Sequence, residues 1–275
     1  MTFGERLQAA FDSGGHLCVG IDPHVFLLEE WGLEDDAAGV REFGLRVVEA
    51  ASTRVAMVKP QVAFFERHGS AGFAALEDVL RAARQAGLLV IGDAKRGDIG
   101  STFDAYAQAW LTPGSPLEVD ALTVSPYLGI ESVAGARDLA IENGKGLFVL
   151  AATSNPEAFA LQSSRTTGGS SVAASIVERV RQWNDGETGL GSTGLVLGAT
   201  VDLGAYGIAD LGTTPVLAPG FGHQGARFAD VSRIYGSAAP GVVVSASRSI
   251  LAAGPTGIEA AIVAQSREVA EALGA

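Results

Sequence analysis

The chain has 275 residues, of which 47% are hydrophobic and 18% charged, so it is long enough to bury a sizeable core. Its formal net charge is −12 with no basic stripe to offset it, and we therefore expect no nucleic-acid or anionic-membrane partner. No apolar run approaches the roughly 18 residues of a membrane span, and the amphipathic, acid-containing N-terminus does not look like a signal peptide. Cys18 is the only cysteine, which excludes an internal disulfide and favours a cytoplasmic location.

Short apolar runs recur along the chain and predict parallel strands that are buried on both faces. They cover residues 16–22, 55–61, 88–95, 121–125, 147–154, 194–200, 215–221 and 241–247. Stretches with helical periodicity follow them at 40–52, 71–86, 102–110, 130–142, 171–183, 205–211, 227–235 and 257–273. Eight strands that alternate with helices predict an α/β fold, a single (β/α)8 TIM barrel that occupies residues 1–275 as one domain.

A doubly wound open sheet is the alternative architecture. Such a sheet usually carries a G-x-G-x-x-G loop after its first strand, whereas GIDPHVF follows Val19 here. Two loops are unusually long, at residues 23–39 and 155–170. Because both follow the carboxyl end of a strand, where barrel active sites are built, we interpret them as candidate lids; neutral surface insertions are the alternative.

Polar side chains stand where the predicted strands end. They are Asp22, Lys59, Asp93, Lys95, Thr153, Ser154, Ser247 and Arg248. A barrel brings the carboxyl ends of its strands to one mouth, so we expect these side chains to meet in one cavity.

The densest charge cluster comes from the second and third strands. Alternation sends Asp93 and Lys95 to the same face, about 7 Å apart along the chain, and Lys59 joins them from the neighbouring strand. Buried charges need opposite partners, and a fixed ammonium suits a reaction that develops a carbanion. An ion-pair plug in the barrel core is the alternative interpretation.

Two segments indicate a phosphorylated ligand. The glycine-rich turn 219–225 offers free backbone N–H groups, and Arg248 stands where the eighth strand turns into a helix. The loops after the seventh and eighth strands form the usual phosphate site of this fold. No metal site is predicted, because the histidines have no metal-ligand spacing and no Cys/His cluster exists.

The run DAKRGDIGST at 93–102 resembles the D-x-K-x-x-D-I-x-x-T signature of the orotidine 5'-phosphate decarboxylase family. GIDPH, KPQ, ATSNP, APGFGHQG and SASRSI are similar to further family segments in the same order, and KPQVAFFE with the longer loops resembles a branch often found in bacteria. The resemblance implies decarboxylation of orotidine 5'-phosphate to UMP, the last step of de novo pyrimidine synthesis. It also implies that the reaction needs no metal or cofactor and that the active sites are shared within a homodimer.

The resemblance implies a role for each residue of the charge cluster. Asp22 would bind the ribose, and Lys59 would bond the ribose and anchor the array. Asp93 would lie against the substrate carboxylate, and Lys95 would protonate C6 as carbon dioxide leaves.

Further roles concern the partner subunit, the base and the phosphate. Asp98, Ile99 and Thr102 would reach into the partner's site, where Asp98 completes the charge array. The expected contacts with the pyrimidine and the phosphate are Ser154, Pro219, Gln224, Ser247 and Arg248.

Two other functions stay open. A metal-dependent decarboxylase or aldolase that acts on a sugar-phosphate keto acid shares the D-x-K-x-x-D core, although the run Ile99 to Thr102 together with Ser154 and Gln224 favours a nucleotide. A catalytically inactive nucleotide-binding module would be expected to lack Asp93 or Lys95.

Overall fold

Eight parallel strands close into a barrel in the computed structural model, which describes residues 1–274. Each strand pairs with its neighbours in sequence order, and β8 pairs with β1 to complete the ring. The strands are β1 Leu17–Ile21, β2 Met57–Pro60, β3 Leu89–Arg96, β4 Ala121–Val124, β5 Gly146–Ala152, β6 Thr193–Leu197, β7 Val216–Ala218 and β8 Val242–Ala246. The predicted α/β class and (β/α)8 barrel are confirmed, and no strand extends more than one residue beyond its predicted run.

Helices surround the barrel. They are α1 Phe3–Gly14, α2 Val25–Glu30, α3 Ala37–Ala51, α4 Ala63–Glu66, α5 Gly69–Gln85, α6 Gly100–Leu111, α7 Ala134–Glu142, α8 Ala158–Gln162, α9 Val172–Trp183, α10 Val231–Tyr235, α11 Arg248–Leu251 and α12 Gly254–Leu273. Within residues 1–274, no helix combines the length and the apolarity that a membrane crossing requires.

One predicted helix, 205–211, is wrong. Only a short 3-10 helix, Leu203–Tyr206, forms there, because Gly207 adopts the left-handed conformation with φ 73° and ends the turn. The prediction for 227–235 holds in its second half, where α10 follows a 3-10 turn. Both predicted long loops contain a short helix, α2 in the first and α8 in the second.

The N-terminal end of the barrel is closed by α1. Phe3, Leu7 and Phe11 are buried against side chains that point into the barrel from the strands. Gly146 at the start of β5 makes this approach feasible, since a Cβ there would lie 2.3 Å from the Phe3 ring. Apolar packing therefore fills this end and leaves the opposite mouth for a cavity.

A group of charges, which we call the basal ion cluster, lies at the same end and consists of Arg6, Glu118, Asp120 and Lys145. Lys145 Nζ lies 2.7 Å from Glu118 Oε1 and 3.4 Å from Asp120 Oδ1. Arg6 also pairs with Asp120, whose second oxygen accepts the Val90 N–H at 2.8 Å. These charges pair with one another at the end of the barrel where β4 and β5 begin. They therefore help to close that end of the barrel.

Candidate active site

A cavity of about 490 Å³ opens at the carboxyl ends of the strands. The predicted site residues that line it are Asp22, Lys59, Asp93, Lys95, Ser154, Pro219, Gln224, Ser247 and Arg248. A larger and more open groove of about 850 Å³ lies beside the turns after β6 and β7, but Gln224 is the only predicted site residue in it. The smaller cavity is thus where the chemistry-bearing residues converge.

The Asp93 carboxylate lies at the centre of a hydrogen-bond network. Its Oδ1 accepts from Lys95 Nζ at 2.6 Å and from Thr123 Oγ1 at 3.0 Å. Its Oδ2 accepts from Lys59 Nζ at 2.9 Å and from the Gln61 side-chain amide at 2.6 Å. A carboxylate offers about four acceptor positions, so these four donors hold both its place and its plane.

Electrostatics keep this network ionised. Burial alone would raise the pKa of Asp93, but the ammonium groups of Lys59 and Lys95 outweigh burial and hold that pKa well below its usual value. Burial would lower the pKa of Lys59, yet the Asp93 and Asp22 carboxylates outweigh it and hold that pKa above its usual value. Lys59 and Lys95 therefore place two positive charges around the negative charge of Asp93, beside Asp22.

The backbone at Lys95 departs from a regular strand. Its φ is 48°, a value that a residue with a side chain adopts only at a cost on the order of 1–3 kcal/mol. The β3–β4 register also shifts between Gly92 and Arg96, and the Lys95 N–H donates to Thr123 Oγ1 at 2.9 Å. Asp93 and Lys95 meet in the cavity as predicted. Their positions result from this irregularity of the backbone as well as from the alternation of side chains along the strand.

The turns after β7 and β8 meet at the other side of the cavity. Gly222 has φ 69°, and a Cβ there would lie 2.8 Å from Ser249 Oγ, so glycine permits both the turn and the contact. Ser154 Oγ donates to Gln224 Oε1 at 3.3 Å, which links the end of β5 to the same turn. Arg248 lines the cavity beside these turns and brings a guanidinium to it.

Asp22 follows β1 and lies between these two regions. Ser247 Oγ donates to its Oδ2 at 2.7 Å, while its Oδ1 is buried and has no hydrogen-bond partner among residues 1–274. A buried carboxylate oxygen normally accepts a hydrogen bond. Asp22 Oδ1 is therefore suited to a hydroxyl donor from a ligand.

Comparison with known proteins identifies the family. The model of the orotidine 5'-phosphate decarboxylase / HUMPS family matches residues 15–261. The chain belongs to this family. A curated orotidine 5'-phosphate decarboxylase of Streptomyces coelicolor is 55% identical over 255 residues, covering 92% of this chain and 91% of that protein. One from Salinispora arenicola is 54% identical over 254 residues, with the same two coverages.

Solved structures agree with the family assignment. A crystal structure from Streptomyces avermitilis that is described as an orotidine 5'-phosphate decarboxylase superposes with a TM-score of 0.96 at 50% identity, covering 100% of this chain and 96% of that one. The OMP decarboxylase of Leishmania donovani superposes with a TM-score of 0.79 at 30% identity, and each chain is covered completely. The family resemblance seen in the sequence is therefore confirmed.

Three residues of the family signature lie outside this cavity. Asp98, Ile99 and Thr102 stand at the β3–α6 junction, and Ile99 is 61% exposed. Asp98 Oδ1 accepts only the neighbouring Ile99 N–H, at 2.8 Å. Tyr127 and Leu128, in the adjacent loop after β4, are also exposed, by 76% and 54%.

Two further residues of the cavity, Gln61 and Thr123, were not predicted from the sequence. Gln61 directly follows β2 and touches both Asp93 and Lys95, while Thr123 on β4 touches Asp93 and the backbone of Lys95. Each offers a weak signal, a lone polar residue in or just after an apolar strand. Among residues 1–274, no three His, Cys, Asp or Glu side chains are arranged to hold a metal ion.

Proposed function

We propose that this chain decarboxylates orotidine 5'-phosphate to UMP. The observation that supports this proposal most directly is the Asp93 carboxylate, which is fixed between the ammonium groups of Lys59 and Lys95. The opposite side of the same cavity presents Arg248 and the glycine-rich turn. Fixed charge suits a reaction whose intermediate is an anion, and the guanidinium with the turn suits a phosphate. Relatives that carry this enzyme's name at 54–55% identity support the same activity.

The cavity has matching partners for each part of the nucleotide. The phosphate would lie against Gln224, Arg248 and backbone groups that follow Phe221 and Ser247, all of which line one side. This placement puts the strongest binding interactions far from the reacting carbon. Binding energy from such a remote group can then be used to close the site and exclude water.

The ribose and the base would occupy the middle of the cavity. The unpartnered Asp22 Oδ1 would accept a ribose hydroxyl, and Lys59 would bond the same sugar. Ser154, already in contact with Gln224, would reach the polar edge of the pyrimidine. This orientation directs C6 and its carboxylate towards Asp93 and Lys95.

The reaction then requires one bond to break and one proton to move. The bond from C6 to the carboxylate carbon breaks, carbon dioxide leaves, and the electron pair stays on C6. The Lys95 ammonium stabilises the developing anion and gives C6 one proton, and the resulting amine regains a proton from solvent. Asp93 holds Lys95 in place at 2.6 Å and faces the departing carboxylate. The protein supplies this stabilisation without reorganisation, because the array is fixed before substrate binds.

We also propose a homodimer in which each site takes residues from both subunits. Asp98, Ile99 and Thr102 contribute nothing to their own cavity although they belong to the family signature. They lie in an exposed patch with Tyr127 and Leu128, and exposed apolar patches of this kind mark interaction surfaces. Asp98 of a second copy would complete the charge array.

Three coarser expectations belong to the same proposal. We expect residues 1–275 to belong to one domain around one barrel, and the net charge of −12 makes a nucleic-acid partner unfavourable. A single cysteine fits a reducing compartment, for which we propose the cytoplasm.

The test is ultraviolet-monitored decarboxylation of orotidine 5'-phosphate by EDTA-treated protein. We expect full turnover in EDTA, no gain from added magnesium, and loss of turnover in Lys95→Ala. Binding of UMP by Lys95→Ala provides the control for an intact fold. Folded wild-type protein without turnover would contradict the proposal and direct the search to sugar-phosphate keto acids with magnesium. Turnover that EDTA abolishes and magnesium restores would contradict the metal-free reaction.

A further inference from the structure

Gln61 occupies a position between the two charged groups that the proposed reaction uses. It follows β2 directly, pairs through its backbone with Asp93 on β3, and donates its backbone N–H to Ile21 at 3.1 Å. Its main chain is thus tied to the strands on both sides of β2. The side chain projects into the cavity from this rigid base.

The partners of the Gln61 amide determine how it is oriented. Its nitrogen donates to Asp93 Oδ2 at 2.6 Å and to the Asp93 carbonyl at 3.2 Å, and its oxygen accepts from Lys95 Nζ at 3.2 Å. The opposite orientation would set the amide oxygen against two acceptors and the amide nitrogen against an ammonium. In the first orientation, both the nitrogen and the oxygen of the Gln61 amide form hydrogen bonds with the network.

Lys95 needs such a partner more than Lys59 does. The Lys59 side chain is only 7% exposed and is held by its surroundings, whereas the Lys95 side chain is 45% exposed on a flexible stem. With Asp93 alone, the ammonium could pivot about a single hydrogen bond. A second anchor at Gln61 Oε1 restricts where the ammonium can lie.

We infer that Gln61 is a positioning residue, which holds the Asp93 carboxylate and the Lys95 ammonium in register for proton transfer to the reacting carbon. It does so without adding charge, so the balance of charge in the cavity is unchanged. This inference rests on the proposed decarboxylase function. The amide acts through Lys95 and Asp93 and does not itself exchange a proton.

The kinetic test compares two variants of similar size. Gln61→Met removes every hydrogen bond of the amide. Gln61→Glu keeps an acceptor for Lys95 but replaces the amide nitrogen with a carboxylate oxygen that faces the Asp93 carboxylate. We expect kcat to fall on the order of 100-fold in Gln61→Met, the scale of a misplaced catalytic group, while the KM for orotidine 5'-phosphate stays close to wild type. Gln61→Glu should not rescue kcat. Gln8→Met, the same change on an exposed face of α1, should keep wild-type kcat.

A second readout does not depend on turnover. The chain has only three lysines, Lys59, Lys95 and Lys145, so protein labelled with ¹³C at the lysine side chains yields three resolvable sets of signals. In Gln61→Met the Lys95 signals should shift and indicate greater mobility, while those of Lys145 in the basal ion cluster should not change. Lys95→Arg assigns the signals.

The outcomes separate the two proposals. Absence of wild-type turnover contradicts the proposed function, whatever Gln61 does. If the wild type is active, wild-type kcat in Gln61→Met, rescue by Gln61→Glu, or unchanged Lys95 signals would overturn the positioning role. An equal loss of kcat and of UMP affinity would indicate general damage to the cavity and would also overturn it. If Gln61→Met does not fold, Gln61→Asn is the deciding variant, since it keeps the amide and should lose kcat only through its shorter reach.

Discussion

At the residue scale, the Asp93 carboxylate has a proposed role in the reaction and is also expected to affect stability. Its side chain is 12% exposed and contacts Lys59, which is 7% exposed. Asp93→Asn would leave that lysine with Asp22 as its remaining nearby carboxylate. We expect the free energy of unfolding at pH 7 to fall by about 2 kcal/mol, less than for the complete loss of a buried partner, because the amide keeps some hydrogen bonds.

The pH dependence of this loss has a definite sign. The folded-state pKa of Asp93 is depressed, so its stabilising contribution is complete above the ordinary aspartate pKa of about 3.9 and is lost as the pH falls below that value. The difference between wild type and Asp93→Asn should therefore be constant above about pH 5 and shrink below about pH 4. Urea unfolding at pH 7, 5 and 3.5 measures it. A difference that grows on acidification would contradict the assigned charge state.

The charged residues of the site were predictable, while its neutral ones were not. Asp93, Lys59 and Lys95 stand out because burying charge in a strand is costly and needs a reason. Gln61 and Thr123 carry no such cost when they are hydrogen-bonded, so their weak signals do not separate them from ordinary strand-end residues. The left-handed backbone of Lys95 was also hidden, since its φ of 48° depends on contacts with Thr123 from another strand.

At the element scale, the basal ion cluster should stabilise the closed end of the barrel without affecting the cavity. Burial would raise the pKa of Glu118, but the Lys145 ammonium outweighs burial and lowers it, so the pair is ionised. Lys145→Met leaves Glu118 and Asp120 without this cation, and we expect a loss on the order of 3 kcal/mol in the free energy of unfolding. Decarboxylation at 25 °C should be unchanged, because the cluster lies at the N-terminal ends of β4 and β5, whereas the cavity lies at the carboxyl ends of the strands.

A matched surface variant provides the control for this prediction. Arg267 pairs with Glu271 on α12, but its side chain is 80% exposed, so Arg267→Met should leave the free energy of unfolding close to that of the wild type. Chemical denaturation of both variants, followed by turnover at 25 °C, makes the comparison. Equal unfolding free energies for the two variants would contradict the structural role of the basal ion cluster.

Elements differed in how well their sequences predicted them. The strands are buried on both faces and therefore read as apolar runs, which is why all eight were found. The helices α2, α4, α8 and α11 have between four and six residues, too few to show a helical period. The helix predicted at 205–211 failed because apolar spacing continued past Gly207, where the backbone turns left-handed.

At the scale of the whole molecule, the order of elements in the sequence was enough to predict the barrel topology. It was not enough to predict which residues complete the proposed active site. A closed ring has no free edge, so alternating strands and helices determine which strand ends share a mouth. The position of Asp98 on the outer surface is a consequence of the same topology. The role that we propose for Asp98 depends on a second copy of the chain, which neither the fold nor the cavity specifies.

Subunit mixing tests that role. In a two-fold symmetric dimer, each site would take Asp93 from one subunit and Asp98 from the other. A hybrid of Asp93→Ala and Asp98→Ala subunits then has one site that lacks both carboxylates and one that has both. Random exchange of equal amounts makes half of the dimers hybrids, so about one quarter of the sites should be native. We expect each variant alone to be nearly inactive and the mixture to recover about a quarter of wild-type turnover.

The mixing experiment needs proof that subunits exchange, which a size tag on one variant and native mass spectrometry provide. Mixing Asp93→Ala with Lys95→Ala is the matched control, because both residues line the same cavity of one subunit and no hybrid site regains both. Recovery in the first mixture alone would place Asp98 across the interface. Hybrid dimers that form without recovered turnover would contradict the shared site, and a monomer at assay concentration would contradict the dimer itself.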